Sequence, residues 1–395
     1  MPLDVVATLS DLVAIPSVNP MGRPVSGPEF FEYRVTQYLE RLFDQLKLPW
    51  IRQPIEPKRE NILARLDGSV PPAEGGSILL FEAHQDTVPV DGMTIEPFTP
   101  TIRDGRIYGR GACDIKGGMA AMLAAFARIA EERPEGRPTL VMACTVNEEH
   151  GYSGAQQLPE LWSGPGAFLP RPPDAAIVAE PTGLDVVIAH KGAVRWRCHT
   201  LGRAAHSSQP QLGDNALFKM ARVLRALESC QQELMPEQGE HHLCGKATLS
   251  VGTIRGGLSV NTVPDRCTIE IDRRLLPGEN NRDAYQQVID FVARAPEVDF
   301  PVQHDSPFLD GAPLADNHNR SLGERLSAVV RAQGGPGRLV GVPFGTDASK
   351  LAAAGVPSVV FGPGSIDQAH TADEWLDLDQ LHQASEILYR FARES

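Results

Sequence analysis

The stretch SILLFEAHQD at residues 77–86 decides how the rest of the sequence is interpreted. Its first seven residues form a short, mainly apolar run bounded by turn residues, which is typical of a buried strand. Similar runs are TLVMACT at 139–145 and AAIVA at 175–179. A helix is predicted between the first two, at 117–132, because this segment is rich in Ala, Met and Leu and ends before Pro134. Strands that alternate with crossover helices predict an α/β sheet.

The sequence pattern changes near residue 191, where polar and apolar residues begin to alternate. We predict three strands and two helices in this part, at 193–201, 215–227, 247–254, 266–275 and 281–293. A β-α-β-β-α order of this kind is typical of a small two-layer α+β sandwich. After residue 307 the α/β pattern returns, with a strand at 357–361 and an amphipathic helix at 378–393. The sequence therefore predicts one large domain, 1–190 and 306–395, interrupted by an inserted domain, 191–305.

The composition excludes several classes of protein. The 395 residues are 42% hydrophobic and 22% charged, which is typical of a globular chain and not of a disordered one. A net charge of -13 without a Lys/Arg-rich run argues against nucleic acid or anionic lipid as the main partner. No apolar stretch reaches the ~18 residues of a membrane span. Asp4 and Asp11 are unlike a secretory signal, and the six cysteines form no CxxC pair, so we expect a cytoplasmic protein with reduced thiols.

Metal-binding side chains follow several of the predicted strands. They are His84, Asp114, Glu148, Glu149, Glu180 and His370. Because sites in open α/β sheets assemble at the carboxyl ends of the strands, we expect these side chains to meet at one edge. One histidine or one glutamate in such a place would carry little information. The two imidazoles and three of the four carboxylates would suit a pair of divalent ions that share one bridging carboxylate.

Two further details of these strand ends indicate hydrolytic chemistry. Asp86, two residues beyond His84, can accept the imidazole N–H that faces away from a metal and so fix the tautomer. Neighbouring residues just past a strand end point in different directions, so one of Glu148 and Glu149 can bind metal while the other acts as a general base. The alternative is that both glutamates are solvated surface acids. Their place directly after a buried strand favours the site.

Several sequence motifs resemble one enzyme family. They are EAHQDTVP, YGRGACDIKGGMAAML, TVNEEHGYSGA, AEPT, GRAAHSSQP, NTVPD, DRRLLPGE, GTDASKL and GPGSIDQAHTADEW. In this order they resemble the zinc aminoacylase/exopeptidase family, which contains acetylornithine deacetylase, succinyl-diaminopimelate desuccinylase, carboxypeptidase G and aminoacylase. The resemblance covers the chain from about residue 10 to its end. It implies an α/β, zinc-peptidase-like catalytic domain with a mixed sheet, and it implies that the inserted α+β domain serves as a lid and in dimerisation.

The resemblance also assigns roles at the strand ends. It implies two Zn²⁺ ions per subunit, for which Co²⁺ or Mn²⁺ could substitute, and Asp114 as the bridging ligand. His84 and Glu180 would complete one site, Glu149 and His370 would complete the other, and Glu148 would be the general base. The family further implies a cis peptide bond between Asp114 and Ile115. Many relatives carry a second aspartate where this chain has Ile115.

The inserted domain and the last part of the chain supply further predicted site residues. His206 matches a histidine that in dimeric relatives reaches the neighbouring active site and stabilises the oxyanion. Arg274 matches an arginine that binds the substrate carboxylate, Asn261 matches a polar group near the same site, and Gly345 and Thr346 match the pocket lining. The alternatives are a histidine that caps a turn, an arginine in a strand-end ion pair and an asparagine in a turn. The match to His206 also implies a homodimer.

These observations predict a dinuclear zinc amidohydrolase that removes an N-acyl group from an amino acid or a related small amine that bears a carboxylate. The motif GPGSIDQAH followed by Asp373 and Glu374 resembles acetylornithine deacetylase, so N-acetylornithine is the first expected substrate, in amino-acid biosynthesis. The alternatives within the family are succinyl-diaminopimelate desuccinylase and a dipeptidase or carboxypeptidase. An alternative from another class is a non-catalytic binding protein of the same fold, which we would expect to have lost metal ligands.

Overall fold

The computed structural model describes residues 3–164 and 166–393. Its helices are α1 (Val5–Val13), α2 (Tyr33–Gln45), α3 (Lys116–Glu132), α4 (Ser153–Gln157), α5 (Ala216–Glu237), α6 (Asn281–Arg294), α7 (Arg320–Ala332), α8 (Ala348–Ala353) and α9 (Leu378–Arg393). Its strands are β1 (Trp50–Glu56), β2 (Arg59–Leu66), β3 (Ile78–His84), β4 (Thr101–Arg103), β5 (Arg106–Tyr108), β6 (Thr139–Thr145), β7 (Ala175–Val178), β8 (Val186–His190), β9 (Gly192–Leu201), β10 (Glu240–His241), β11 (Gly245–Lys246), β12 (Thr248–Gly256), β13 (Arg266–Leu275), β14 (Val302–His304), β15 (Leu309–Gly311), β16 (Leu339–Val342), β17 (Ser358–Val360) and β18 (Trp375–Asp377). Within the described ranges, no helix combines the length and apolar character needed to cross a membrane.

An eight-stranded mixed sheet is the largest element of the fold, and its strand order is β1-β2-β6-β3-β7-β17-β8-β16. The central strands β6, β3, β7 and β17 are parallel to one another. Strands β1 and β2 pair antiparallel to their neighbours, and β8 pairs antiparallel to β17. In the register, Phe81 lies between Met142 on one side and Ile177 on the other. The predicted α/β class with a large mixed sheet is confirmed.

Helix α3 makes the crossover connection that a parallel pair such as β3 and β6 requires. Nearly every residue in its first three turns is buried, because the side chains are mostly alanine and methionine and lie against α1, α9 and the sheet. The glycine pair at its start permits this close packing. A Cβ atom on Gly118 would lie 2.9 Å from the Cβ of Ala179, and one on Gly117 would lie 2.6 Å from the carbonyl oxygen of Ala112.

The chain divides into two compact units. The first contains the described residues up to Ile188, Asp316–Val340 and those from Thr346 onward, and the second contains Ala189–Ala315 and Gly341–Gly345. The second unit thus extends beyond the predicted insertion, 191–305, at both ends. Strand β15 explains part of the difference, because Leu309 pairs with Arg195 in the sheet of the second unit. Gly341 belongs there because it lies against Leu243.

The second unit is a two-layer α+β structure. Strands β12, β13, β9 and β14 form an antiparallel sheet in this order, and β15 also pairs with β9. Alternate residues of β9 and β13, among them Trp196 and Ile271, enter one core with helices α5 and α6. Helix α5 continues to Glu237, past the predicted end at 227, because Leu234 and Met235 still pack on this core. The predicted helix ends at residue 227 because the residues that follow are mostly polar.

Candidate metal centre

The ends of β3 and β6 and the loop after β5 bring histidine and carboxylate side chains together. His84 is the last residue of β3, and its Nε2 atom lies 3.3 Å from Oδ1 of Asp114. The Nε2 atom of His370 lies 3.3 Å from Oδ2 of the same aspartate and 3.4 Å from Oε2 of Glu149. Asp114 therefore directs one carboxylate oxygen toward each histidine, as a carboxylate shared between two cations would.

Two groups of side chains in the described residues have the spacing of a metal site. One consists of His84, Asp114 and Glu180, and the other of Asp114, Glu149 and His370. Within each group the ligand atoms lie within 4.8 Å of one another, and Asp114 belongs to both. These are the two sets that the sequence resemblance implied. Glu180 reaches the site because it follows the short strand β7 by two residues.

The chemistry of these side chains fits a pair of divalent cations. Imidazole nitrogen and carboxylate oxygen are the ligands that zinc prefers, and manganese and cobalt also accept them. Nε2 of His84 and Oε1 of Glu149 are buried and have no hydrogen-bond partner, although buried polar atoms are normally paired. A cation at each group would satisfy these two atoms.

The electrostatics of the site also favour cations. Burial raises the pKa of Glu148 and Glu180 well above the usual value, and repulsion from neighbouring carboxylates adds to the effect. Burial and the charge of Asp114 raise the pKa of Glu149 to about 7. Asp114 differs, because attraction by the His370 and His84 rings outweighs its burial and lowers its pKa. Bound divalent ions would offset the repulsion among these carboxylates.

Glu148 lies close to the predicted ligands. Its carboxyl group is repelled by Glu180 and Glu149 and attracted by His84, and these residues come from both groups. A carboxylate beside a metal pair, but outside both ligand sets, is available to accept a proton. The geometry therefore separates the two adjacent glutamates, with Glu149 in a ligand group and Glu148 outside it.

Asp86 contacts His84 mainly through its backbone carbonyl and not through its carboxylate, which was the predicted acceptor. His84 Nδ1 donates to the backbone carbonyl of Asp86 at 3.0 Å, whereas the nearest carboxylate oxygen of Asp86 is 3.5 Å away. Since a carbonyl only accepts, this bond places the proton of the neutral His84 ring on Nδ1, and Nε2 faces Asp114 without a proton. The Asp86 carboxylate accepts the backbone N–H groups of Glu148 at 3.2 Å and Glu149 at 3.1 Å. Asp86 thus holds both the histidine and the turn that carries the glutamates.

Glu374 supports the site, although the sequence analysis named it only as part of a motif and gave it no role there. It is fully buried, and its carboxylate accepts hydrogen bonds from Arg110 Nη1 and from the backbone N–H groups of Gly111, Cys113 and Asp114, at 2.7 to 3.0 Å. These bonds fix the loop that presents Asp114. The peptide bond between Asp114 and Ile115 is cis, as the family resemblance implied. The signal for Glu374 was present in the motif HTADEW, where it stands four residues after His370.

The second unit contains the predicted residues His206, Asn261 and Arg274, and each side chain has its own local partner. His206 is exposed, and its Nδ1 accepts the backbone N–H of Ser208 at 3.2 Å, so Nε2 is the donor nitrogen of the neutral ring. Asn261 is also exposed and accepts a hydrogen bond from the Ser259 hydroxyl. Arg274 Nε lies 3.0 Å from Oδ1 of Asp272.

The two predicted pocket residues fall in different units. Gly345 ends the short segment of the second unit, and Thr346 begins the last part of the first. Thr346 is fully buried, and its hydroxyl accepts the backbone N–H of Ala348 at 3.2 Å. The bond lies at the first residue of helix α8. The Thr346 hydroxyl can still donate its own proton to another acceptor.

Comparisons with known proteins identify the family of this chain. Residues 80–394 match the model of peptidase family M20/M25/M40. An acetylornithine deacetylase of Myxococcus xanthus is 31% identical over 337 residues, which cover 84% of this chain and 83% of that protein. A probable succinyl-diaminopimelate desuccinylase of Staphylococcus aureus is 28% identical over 384 residues, covering 88% and 89%. The structure of a dinuclear metal-binding M20 peptidase from Bacillus subtilis has the same fold, with a TM-score of 0.68 at 16% identity and coverage of 98% and 96%.

Proposed function

The chain belongs to peptidase family M20/M25/M40, hydrolases of amide bonds, and we propose that it is a dinuclear zinc amidohydrolase that removes an N-acyl group from an amino acid. The single observation that carries this proposal is the pair of ligand groups that share Asp114, with Glu148 beside both. Zinc is proposed because imidazole and carboxylate ligands suit it, and cobalt or manganese would be expected to substitute.

The proposed mechanism assigns a separate task to each group of residues. His84, Asp114 and Glu180 would hold one ion, and Asp114, Glu149 and His370 would hold the other. Bound metal ions would polarise the amide carbonyl and make water a better nucleophile. Glu148 would take the proton from the attacking water and deliver it to the leaving amine nitrogen. Asp86 would keep Nε2 of His84 free for binding and would hold Glu148 in place through the backbone.

N-acetylornithine is the proposed first substrate, and amino-acid biosynthesis is the proposed context. The relatives named acetylornithine deacetylase, at about 31% identity over most of the chain, support this choice. Arg274 would bind the substrate carboxylate, with Asn261, Gly345 and Thr346 contributing to the pocket. The desuccinylase relatives support N-succinyl-diaminopimelate as the alternative, and a dipeptidase or carboxypeptidase would use the same metals and base. A non-catalytic binding protein would not require the complete ligand set.

We propose a cytoplasmic homodimer in which His206 stabilises the oxyanion in the neighbouring subunit. His206 is exposed, and its Nε2 carries the donor proton in the neutral ring. Strand β12 ends the order of its sheet, and the segment after it exposes Leu258 and Val260, at 94% and 99%. Exposed strand edges with apolar neighbours are surfaces on which another chain can pair. The six cysteines, all free and buried, are compatible with a reducing compartment.

A hydrolysis screen with metal analysis tests the proposal. Purified protein loaded with zinc or cobalt would be assayed with N-acetylornithine, other N-acetyl amino acids, N-succinyl-diaminopimelate and dipeptides. We expect two metal ions per chain and release of the free amine, and we expect Glu148→Ala to keep the metals and lose hydrolysis. Normal hydrolysis by zinc-loaded Glu148→Ala would overturn the assigned base. A wild-type protein with neither metal nor hydrolysis would favour the non-catalytic alternative.

A further inference from the structure

A buried polar network lies behind the predicted ligands in the first unit. We call it the Asn19 network, and its members are Asn19, Glu32, Arg59, Asp86 and Asn147. Their exposed fractions are between 0% and 8%. Only Asp86 was expected to take part in the site. Buried polar groups are retained at a cost, so a network in which such groups bond mainly to one another calls for a role.

Asn147 is fixed at each of its polar groups. It directly precedes Glu148 and has a φ angle of 62°, in the left-handed region that asparagine tolerates better than most residues. Its side-chain NH₂ donates to Ser153 at 2.9 Å, and its side-chain oxygen accepts from Asn19 at 3.0 Å. Its backbone N–H donates to Glu32 at 3.3 Å, and its carbonyl accepts from Tyr152 N–H at 2.7 Å. The turn that aims Glu148 therefore has little freedom.

Asn19 connects this turn to Asp86. Its side-chain NH₂ donates to Oδ2 of Asp86 at 2.7 Å and to Oδ1 of Asn147 at 3.0 Å. Its side-chain oxygen accepts from Arg59 Nη2 at 3.3 Å and from the backbone N–H of Met21 at 2.9 Å. The chemistry of the neighbours fixes this orientation, because an ionised carboxylate only accepts and a guanidinium only donates. All four hydrogen bonds that an asparagine amide can make are present.

The other two members of the network, Arg59 and Glu32, bond to Asn19 and to Asn147. Arg59 and Glu32 form a buried ion pair at 2.8 Å. Arg59 then donates to Asn19, and Glu32 accepts from the backbone of Asn147. Removing either partner would leave an uncompensated buried charge, so substitution there would disturb folding as well as the site. Asn19 is neutral, and it is the better position for a test.

We propose that Asn19 is a positioning residue for Glu148 and Glu149. Its amide holds the Asp86 carboxylate and Asn147 at a fixed separation, and that carboxylate in turn holds the backbone N–H groups of both glutamates. Asn19 comes from the segment between α1 and α2, 67 residues before Asp86 and 128 before Asn147. The expected effect of Asn19 on catalysis rests on the proposed function. Its effect on the positions of Glu148 and Glu149 can be measured independently of any activity.

Hydrogen exchange of the two glutamate amides tests the placement directly. In zinc-loaded protein, Asn19→Asp puts a like charge against Asp86 with almost no change in shape, and Asn19→Ala removes all four bonds. We expect the exchange of the Glu148 and Glu149 N–H groups to accelerate at least about tenfold in each folded variant, as bonds to Asp86 loosen. Amides inside β6 should keep their wild-type rates. Wild-type protection of both glutamate amides in Asn19→Ala would overturn the proposal.

Kinetics and metal analysis test the consequence. We expect kcat to fall about 10- to 100-fold in both variants, with a KM within about threefold of wild type and an unchanged zinc content per chain. The matched control is Asn319→Ala, which removes another buried asparagine, one whose side chain bonds the backbone of Ile188 and Ser358. It should lower stability without changing kcat or the two glutamate amides.

Other outcomes separate this proposal from the proposed function. A loss of kcat that follows the loss of zinc, or equals that of Asn319→Ala, would reduce Asn19 to a structural residue and overturn the proposal. If the wild-type enzyme hydrolyses no substrate in the screen, the proposed function fails. The exchange rates of the Glu148 and Glu149 amides still decide whether Asn19 positions them.

Discussion

The predicted metal centre of the first unit and the predicted substrate residues of the second unit are held in different ways. His84 and Asp114 are 2% and 7% exposed, and the loops around them are bonded by residues distant in the sequence. The side chains of His206, Asn261 and Arg274 instead contact residues two positions away in the sequence, Ser208, Ser259 and Asp272. The predicted metal centre is therefore organised within one chain. The Arg274 side chain can change partners at little cost, because a partly exposed ion pair contributes only ~0–1 kcal/mol.

The largest effect is expected from Asp114→Asn, which tests whether the two predicted metal sites of the first unit depend on one shared carboxylate. An amide offers only one oxygen and no charge, so it should not bridge two cations. We expect loss of bound zinc and a decrease in hydrolysis of about 10⁴-fold or more, measured by metal analysis and initial rates. Asp174→Asn is the control, since that carboxylate pairs with Arg171 and the backbone of Ile78. Full zinc content in Asp114→Asn would contradict the bridging role.

Glu148→Gln should have the next largest effect. The substitution keeps the shape and the backbone bond to Asp86, but a neutral amide cannot accept the proton. We expect kcat to fall about 10²- to 10⁴-fold with two metal ions still bound. Metal analysis and steady-state kinetics on the same sample check this. If zinc is lost in proportion to activity, Glu148 is a ligand and the assignment of the two glutamates is wrong.

His206→Ala tests whether the exposed residues of the second unit need a second subunit. We expect activity to fall about 10²- to 10³-fold, because an oxyanion donor is lost. Mixing inactive His206→Ala with inactive Glu148→Ala should restore part of the activity through heterodimers, which an assay after subunit exchange would measure. Exchange without any restoration would show that the histidine does not act across subunits.

Arg274→Lys should have a smaller effect that is confined to binding. Lysine keeps the charge but lacks the planar fork that binds a carboxylate through two hydrogen bonds. We expect KM to rise about tenfold with little change in kcat, measured with the best substrate of the screen. Arg195→Lys is the matched control, because Arg195 Nε also lies near Asp272, at 2.9 Å, on a neighbouring strand. Equal effects of the two variants would argue against a specific role for Arg274.

The smallest effect on activity is expected at His304, where the second unit has a pH-sensitive contact. Burial and the charge of His199 lower the pKa of His304 to about 4, and its Nδ1 accepts from Trp196 Nε1 at 3.1 Å. The unfolded chain therefore binds a proton more readily than the folded chain between about pH 6.5 and 4.

Stability should consequently fall as the pH is lowered through that window, by on the order of 1 to 2 kcal/mol from pH 7 to pH 5. Urea denaturation of wild type and His304→Gln at both pH values measures the effect. Glutamine can accept the same bond without titrating, so the variant should lose less stability on acidification. An equal loss in both proteins would mean that other groups cause it. Activity at pH 7 should be unchanged.

Regular patterns in the sequence predicted several elements with their bounds. The predictions at 139–145, 266–275 and 378–393 coincide with β6, β13 and α9. The first is a continuous apolar run, the second alternates with the period of a strand, and the third has a helical stripe, so local burial alone determines each of them. The same reasoning missed β2, because its sequence RENILARL carries polar residues that the structure buries beside β6.

In the site, too, residues that follow a local pattern were predicted, whereas residues that depend on distant partners were not. The predicted ligands follow strand ends, a position that can be found in the sequence. The supporting roles of Glu374 and Asn19 were not predicted, because each is a single polar residue without a periodic pattern. Glu374 bonds to a loop about 260 residues earlier in the chain, and Asn19 bonds to Asp86 and Asn147. Such partners are brought together only when the chain has folded.

The sequence by itself determined the α/β class, the family and the residues that can bind metal, because these depend on local burial patterns and on motifs of a few residues. The tertiary structure decided that Asp114 faces both histidines, that Glu149 belongs to a ligand group while Glu148 does not, and that the Asn19 network supports them. The physical reason is that a metal centre depends on distances of a few ångströms between residues far apart in the chain. Those distances are fixed by packing and by buried hydrogen bonds.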